Sequence, residues 1–313
     1  MSAPEDPKPP SFSLMPLFIL IGALVAGMGA SLFVTGWRLR VFRVVANESL
    51  LPKIQLWLTI IMAQSALWVV CSFYLAATFR RLKTTAVSPL RHMRAASLTL
   101  LPTGIVLIFL GAKQYFLTAP LPPATLGEYT ISNLPIFGGI GMLVAGWAVW
   151  QMYMVRSVWD SEFDLPWDDG QKIMRYVQLR EDALRLLFIA GIVLALGTVA
   201  GAALRNAVNA DRGPNYFPEE YVIIYGALYS LLLLIAYVPV YATFFATGVK
   251  LRETLCGERP ASAAGFKQWK EARDAVNEAL GLTLSGAAAL GPPLAALLPV
   301  FSGWAVSLLS AKK

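Results

Sequence analysis

Five carboxylates crowd a ten-residue stretch: Asp160, Glu162, Asp164, Asp168 and Asp169. The spacing Asp160-x-x-x-Asp164 is one that can hold magnesium against a diphosphate, because two carboxylates four residues apart offer hard oxygen ligands. Such chemistry needs a second acidic cluster on a neighbouring loop. Residues 250–278 supply only the scattered Glu253, Glu258, Glu271, Asp274 and Glu278, and residues 80–94 supply none. The lone histidine, His92, sits in a basic stretch, far in sequence from any serine or cysteine nucleophile. Neither zinc chemistry nor a histidine-assisted nucleophile has a set of residues to work with. The segment LTLSG at 282–286 places Thr283 where a GxSG serine motif needs glycine, and no phosphate-binding loop occurs. The expectation is a chain with no catalytic, cofactor-binding or metal-binding residue. Asp160 and Asp164 are kept as candidates for a cation-attracting vestibule.

The elements around these residues belong to a membrane. Seven stretches contain no charged residue: 9–37, 54–79, 95–112, 129–155, 186–204, 221–249 and 279–311. About 20 apolar residues in a helix cross a hydrocarbon core of about 30 Å. The runs do not alternate as barrel strands would. Apolar residues make up 57% and charged residues 14% of the 313, well below the charge of a soluble domain. The longest gap between runs, 250–278, is too short for a soluble domain of its own. The fold class expected is all-α: a polytopic transmembrane bundle of six full spans plus a Pro-broken C-terminal element, re-entrant or a seventh crossing. Residues 1–13 read as a disordered tail and 14–313 as one membrane-embedded domain, with helical extensions at 171–185 and 250–280. Cys71 and Cys256 fall at different depths, so no disulfide is expected.

Lysine and arginine set the orientation. Residues 80–94 hold Arg80, Arg81, Lys83, Arg91 and Arg94 with no acid. Alternating from there, 113–128 has one basic residue, 156–185 five, 205–220 two and 250–278 six. This places the N-terminus and the richer loops in the cytoplasm and suggests a bacterial inner membrane. Residues 38–53 break the pattern, because Arg38, Arg40, Arg43 and Lys53 would lie outside. The three arginines are candidates for contact with head groups, an anion or a partner. The excess of +7 reflects topology, and no nucleic-acid partner is expected.

Two helices should outrun the lipid. Asp168 or Asp169 can cap a helix after Pro166 that stays helical through Arg205, and the run from Tyr221 continues to about Leu255. Residues 266–280 place Phe266, Trp269, Val276 and Leu280 on one face and Lys267, Lys270, Glu271, Asp274 and Glu278 elsewhere, an amphipathic helix for the membrane surface or for those stubs. In the last run Gly291-Pro292-Pro293 breaks the helix, and freed carbonyls at membrane depth need cover from protein or water. A hairpin returning to the cytoplasm, one kinked span, or a surface helix followed by a crossing all fit, the hairpin slightly best. Glycine and alanine recur at packing spacing in Gly22-Ala26-Ala30, Gly141-Ala145 and Gly197-Gly201. Gln64, Tyr225 and Tyr229 are the polar candidates within the spans. Tyr237 and Tyr241, flanking Pro239, could border a wet crevice.

Two functions stay open from sequence. One is an oligomeric channel, pore or membrane effector built around the broken element Gly291-Pro292-Pro293. The other is a non-catalytic membrane anchor or assembly subunit of a larger complex. The bilayer is the first partner, and a second copy or a membrane or cytoplasmic subunit is the next.

Overall fold

The computed structural model describes residues 51–83, 126–162, 166–213, 216–257, 260, 262–282 and 294–305. These form an all-helical structure of six described helices: α1 (Leu51–Lys83), α2 (Leu126–Glu162), α3 (Asp169–Arg212), α4 (Glu220–Cys256), α5 (Ala263–Ala279) and the short α6 (Leu294–Ala305). Three of them, α1, α3 and α4, are long and apolar enough to cross a membrane. Six full spans is more than these residues show. The runs 9–37 and 95–112 lie outside the described residues.

Helix α3 organises the bundle. It has 44 residues, about 66 Å at 1.5 Å per residue, and it packs against α1, α2 and α4. Its start follows from local chemistry. Asp168 stands in extended backbone and its carboxylate accepts the Gln171 amide at 2.7 Å, satisfying one of the orphan donors of the first turn. The contacts of α1 with α3 run in opposite directions along the chain: Trp57 and Ile61 cluster with Ala203 and Leu204, and Arg81 meets Asp182. Helices α3 and α4 are likewise antiparallel, joined by a short turn. There Asn209 donates to the Phe217 carbonyl and accepts the Phe217 amide, while Arg205 donates to that same carbonyl.

Shape decides the packing along the apolar stretches. A Cβ at Gly191 of α3 would collide with the Ala295 carbonyl oxygen, and one at Gly226 of α4 would sit 2.6 Å from the Pro299 carbonyl oxygen. The two glycines therefore let α6 lie between α3 and α4. Hydrogen bonds fix its seat: the Val300 amide donates to Ser230 Oγ at 3.2 Å, and Ser302 Oγ donates to the Ala195 and Pro299 carbonyls. Along α6, residues 295, 302 and 303 meet 191, 195 and 198 of α3 in order. So α6 runs the same way as α3, away from the end where α5 sits. Over 294–305 the helix lies alongside α3 and is too short to count among the helices that could cross a membrane. The described part of the helix begins at Leu294. Gly291, Pro292 and Pro293 themselves lie outside the described residues.

Of the small-residue pairs expected to pack, Gly141 lies 3.3 Å, from its Cβ position, to the Trp68 ring, and Gly197 3.6 Å to Gln64 Nε2. Gly201 meets nothing within 4 Å. The 22–30 triplet lies outside the described residues.

Candidate functional site

One concentration of polar contacts among the described residues lies where α3 and α4 pass the apolar stretch, beside α5. Arg175 reaches back across the connection from α2 and grips Glu162 with two nitrogens, Nε at 2.6 Å and Nη2 at 2.8 Å. This forked geometry matches the two carboxylate oxygens and is stronger than a single contact. Asp182 is the second anchor. Its side chain is 4% exposed, and Arg81 from α1 holds it at 2.7 Å while Arg185 stands 3.8 Å away. A carboxylate so buried requires a cation, so α1 is tied to α3 by charge. Tyr176, buried on α3, donates to the Phe244 carbonyl of α4 at 2.9 Å, and its ring meets Trp159 and Phe244 edge-on. Gly248 is small because the Tyr176 hydroxyl and the Leu282 side chain occupy the space a Cβ would need.

Helix α5 is held onto this platform. Gly257, at φ 61°, ends α4, and Ser262 starts α5 by accepting the Gly265 amide. Leu280 is fully buried, Phe266, Trp269 and Val276 are half-buried, and Lys267, Lys270, Glu271, Asp274 and Glu278 are exposed. The two faces divide as the sequence pattern requires. Arg252 of α4 donates to Asn277, and Arg180 of α3 donates to the Leu280 carbonyl at 3.1 Å. The chain turns at Gly281, φ 60°, where a Cβ would strike the Arg180 guanidinium. Beside this contact opens a shallow cleft lined by Tyr176, Arg180, Ala183, Tyr237, Tyr241 and Phe245, among others.

The candidates named from sequence distribute unevenly around this platform. Arg38, Arg40, Arg43, Asp164, Gly291, Pro292 and Pro293 lie outside the described residues. Asp160 falls in the last turn of α2, and its side chain lies outside them as well. Gln64 is buried on α1 beside Gly197, and its Oε1 has no hydrogen-bond partner among the described residues. Tyr225 and Tyr229 are half-buried on α4, towards the opposite end of that helix from the cleft. Tyr237 and Tyr241 do border the cleft. Sequence reasoning missed Arg175, Arg180 and Asp182. For Arg180 the signal was present in the helical reading of 171–205, which puts Tyr176, Arg180 and Ala183 on one face at spacings of four and three. Among the described residues no group of three or more potential metal ligands occurs. No known protein family, curated protein or solved structure matches the chain.

Proposed function

We propose that this chain is a non-catalytic membrane subunit that carries a rigid helical cap and uses it to hold a partner protein. The observation that carries the reading is the way the cap is fixed. Asp182–Arg81, Glu162–Arg175, Asn277–Arg252 and Leu280–Arg180 tie α1, α2, α4 and α5 to one another and to α3. Such a network orders side chains that would otherwise be free on a surface, at a cost in conformational entropy. Its product is a fixed presentation of the charged outer face of α5. Rigid placement of a recognition face is how affinity is gained without further contacts.

In this reading six spans plus the C-terminal element form the bundle, in a bacterial inner membrane, and the end carrying α5 is cytoplasmic. The Lys/Arg distribution supports that side. The partner is then a cytoplasmic protein or the cytoplasmic part of another membrane subunit. Photo-crosslinking tests this. A photoreactive residue at Lys270, on the exposed face of α5, should trap one defined polypeptide in membranes of the source cell. The double substitution Lys267→Glu and Lys270→Glu should abolish the product while leaving insertion and thermal unfolding unchanged. Trapping of lipid alone from Lys270 would refute the reading.

The permeation reading keeps one specific support: α6, which follows the double proline in sequence, is wedged between α3 and α4. In that case a homo-oligomer would conduct, and replacing Pro292 and Pro293 by alanine would change ion flux into liposomes.

A further inference from the structure

The cleft beside Arg180 lies at a particular depth. Between Arg185 and Arg205, α3 carries no charged residue for 19 positions, close to the length that spans the hydrocarbon. Arg180 is five residues beyond Arg185, about 7.5 Å along a helix. That is the depth of the head-group layer, which adds roughly 5–8 Å on each side of the hydrocarbon. Counting along α4 from Glu220 gives the same boundary, because about 20 residues of helix end at Val240, next to Tyr241.

The cleft has one charged wall and one apolar wall. A guanidinium has five donors. Among the described residues that of Arg180 makes one hydrogen bond, to the Leu280 carbonyl, and no ion pair. Its neighbours Arg175, Arg185 and Arg81 each hold a carboxylate. Facing Arg180 are three rings of α4 in a ladder, Tyr237 to Tyr241 at 5.8 Å and Tyr241 to Phe245 at 6.1 Å. Tyr241 is 39% and Phe245 42% exposed, and Val238 beside them is 56% exposed. The ladder thus continues from the cleft onto the lipid-facing side of the bundle.

We propose that this cleft binds the phosphate of an anionic phospholipid from the leaflet on the side of α5. Arg180 is the counter-ion, and the Tyr241–Phe245 wall seats the first carbons of the lipid. The cleft is shallow and open to its surroundings, a groove and not an enclosed pocket. A head-group phosphate would rest against Arg180 at its mouth, with the acyl chains outside along Val238 and Phe245. Arginine suits the role because its planar fork matches phosphate oxygens. The site goes beyond the partner-holding function and does not depend on it. It also gives α5 a lipid-sensitive contact, since the guanidinium that meets the phosphate holds the Leu280 carbonyl.

The test is lipid retention by the full chain. Purified protein is delipidated, then offered phosphatidylglycerol and phosphatidylcholine in equal amounts, and bound lipid is counted by native mass spectrometry. The wild type should retain phosphatidylglycerol in preference to phosphatidylcholine. Arg180→Gln should lower that retention about tenfold, the worth of one charge-assisted hydrogen bond. Arg180→Lys should restore part of it, and Arg185→Gln should leave it within about twofold because Arg185 is an exposed, paired neighbour. Equal retention by wild type and Arg180→Gln overturns the site, and so does an equal loss in Arg185→Gln. Displacement of the lipid by millimolar inorganic phosphate would assign the site to a soluble anion and overturn the lipid. If Arg180→Gln does not yield folded protein, the double substitution Tyr241→Ala and Phe245→Ala carries the test. It shortens the partly exposed wall and should lower retention severalfold, and unchanged retention there overturns the proposal.

Discussion

The two halves of α3 are held by different physics. From Gly191 to Leu204 the helix packs by shape. Small residues admit α6 and α1, and the contacts are apolar apart from hydroxyl groups bonded to the backbone and the Gln64 amide beside Gly197. From Asp169 to Arg185 it packs by charge, through Arg175–Glu162 and Arg81–Asp182, with Tyr176 as the one large ring pinned by a hydrogen bond. In lipid a helix gains nothing from hiding apolar surface, so close fit must do the work. Beyond the lipid, water returns, and paired charges with buried aromatic rings become available. The same helix uses each solution where the solvent makes it effective.

The comparison breaks first at the glycines. Gly191→Val should be the most damaging single change, because the added atoms meet the Ala295 backbone carbonyl and not a flexible side chain. Overpacking against backbone lies at or above the upper end of about 1–3 kcal/mol. Thermal unfolding in detergent should show it as a large fall in midpoint. A shift no larger than that of an exposed substitution would mean that α6 is not seated there.

At the charged half the expected effects are smaller. Arg81→Leu leaves Asp182 buried with only Arg185 at 3.8 Å. Because Arg81 is itself 48% exposed, solvent screening holds the loss to about 1–2 kcal/mol. Glu181→Ala removes an exposed i,i+4 pair with Arg185 and should cost at most about 0.5 kcal/mol. Denaturant titration of the two variants side by side checks the contrast. Equal losses would show that burial of Asp182 does not matter.

Gly281→Ala sharpens the same half. A left-handed residue gains a Cβ where Arg180 already stands, which should cost about 1–2 kcal/mol. The loss should be local. Hydrogen exchange should rise in α5 while the α3 core stays protected, and a uniform rise would contradict the separate anchoring of the cap.

Much of this architecture is legible in the chain. The N-cap at Asp168, the overrun of α3 and α4 past the lipid, and the two faces of α5 follow from capping, the absence of charge and helical period, all of which act within a few residues. The candidate site is less so. Arg180 meets Leu280 a hundred positions away, and Arg81 meets Asp182 across a similar separation. Spacing cannot report which of several arginines finds a carboxylate and which faces rings. The seat of α6 was hidden for a related reason. Gly191 and Gly226 look like any other small residues in an apolar run, and only the partner backbone gives them meaning. The pairs that sequence did single out, Gly141-Ala145 and Gly197-Gly201, meet side chains in part: Gly141 meets Trp68 and Gly197 meets Gln64, whereas Gly201 meets nothing.

The mass of the complex released gently from the source membrane tests the partner-holding function most directly. Native mass spectrometry of the wild type should give an assembly that contains a second, different polypeptide. The Lys267→Glu and Lys270→Glu variant should release the chain without it. An assembly whose mass is a whole-number multiple of this chain alone, unchanged in the variant and conducting ions in liposomes, would contradict that function and favour permeation.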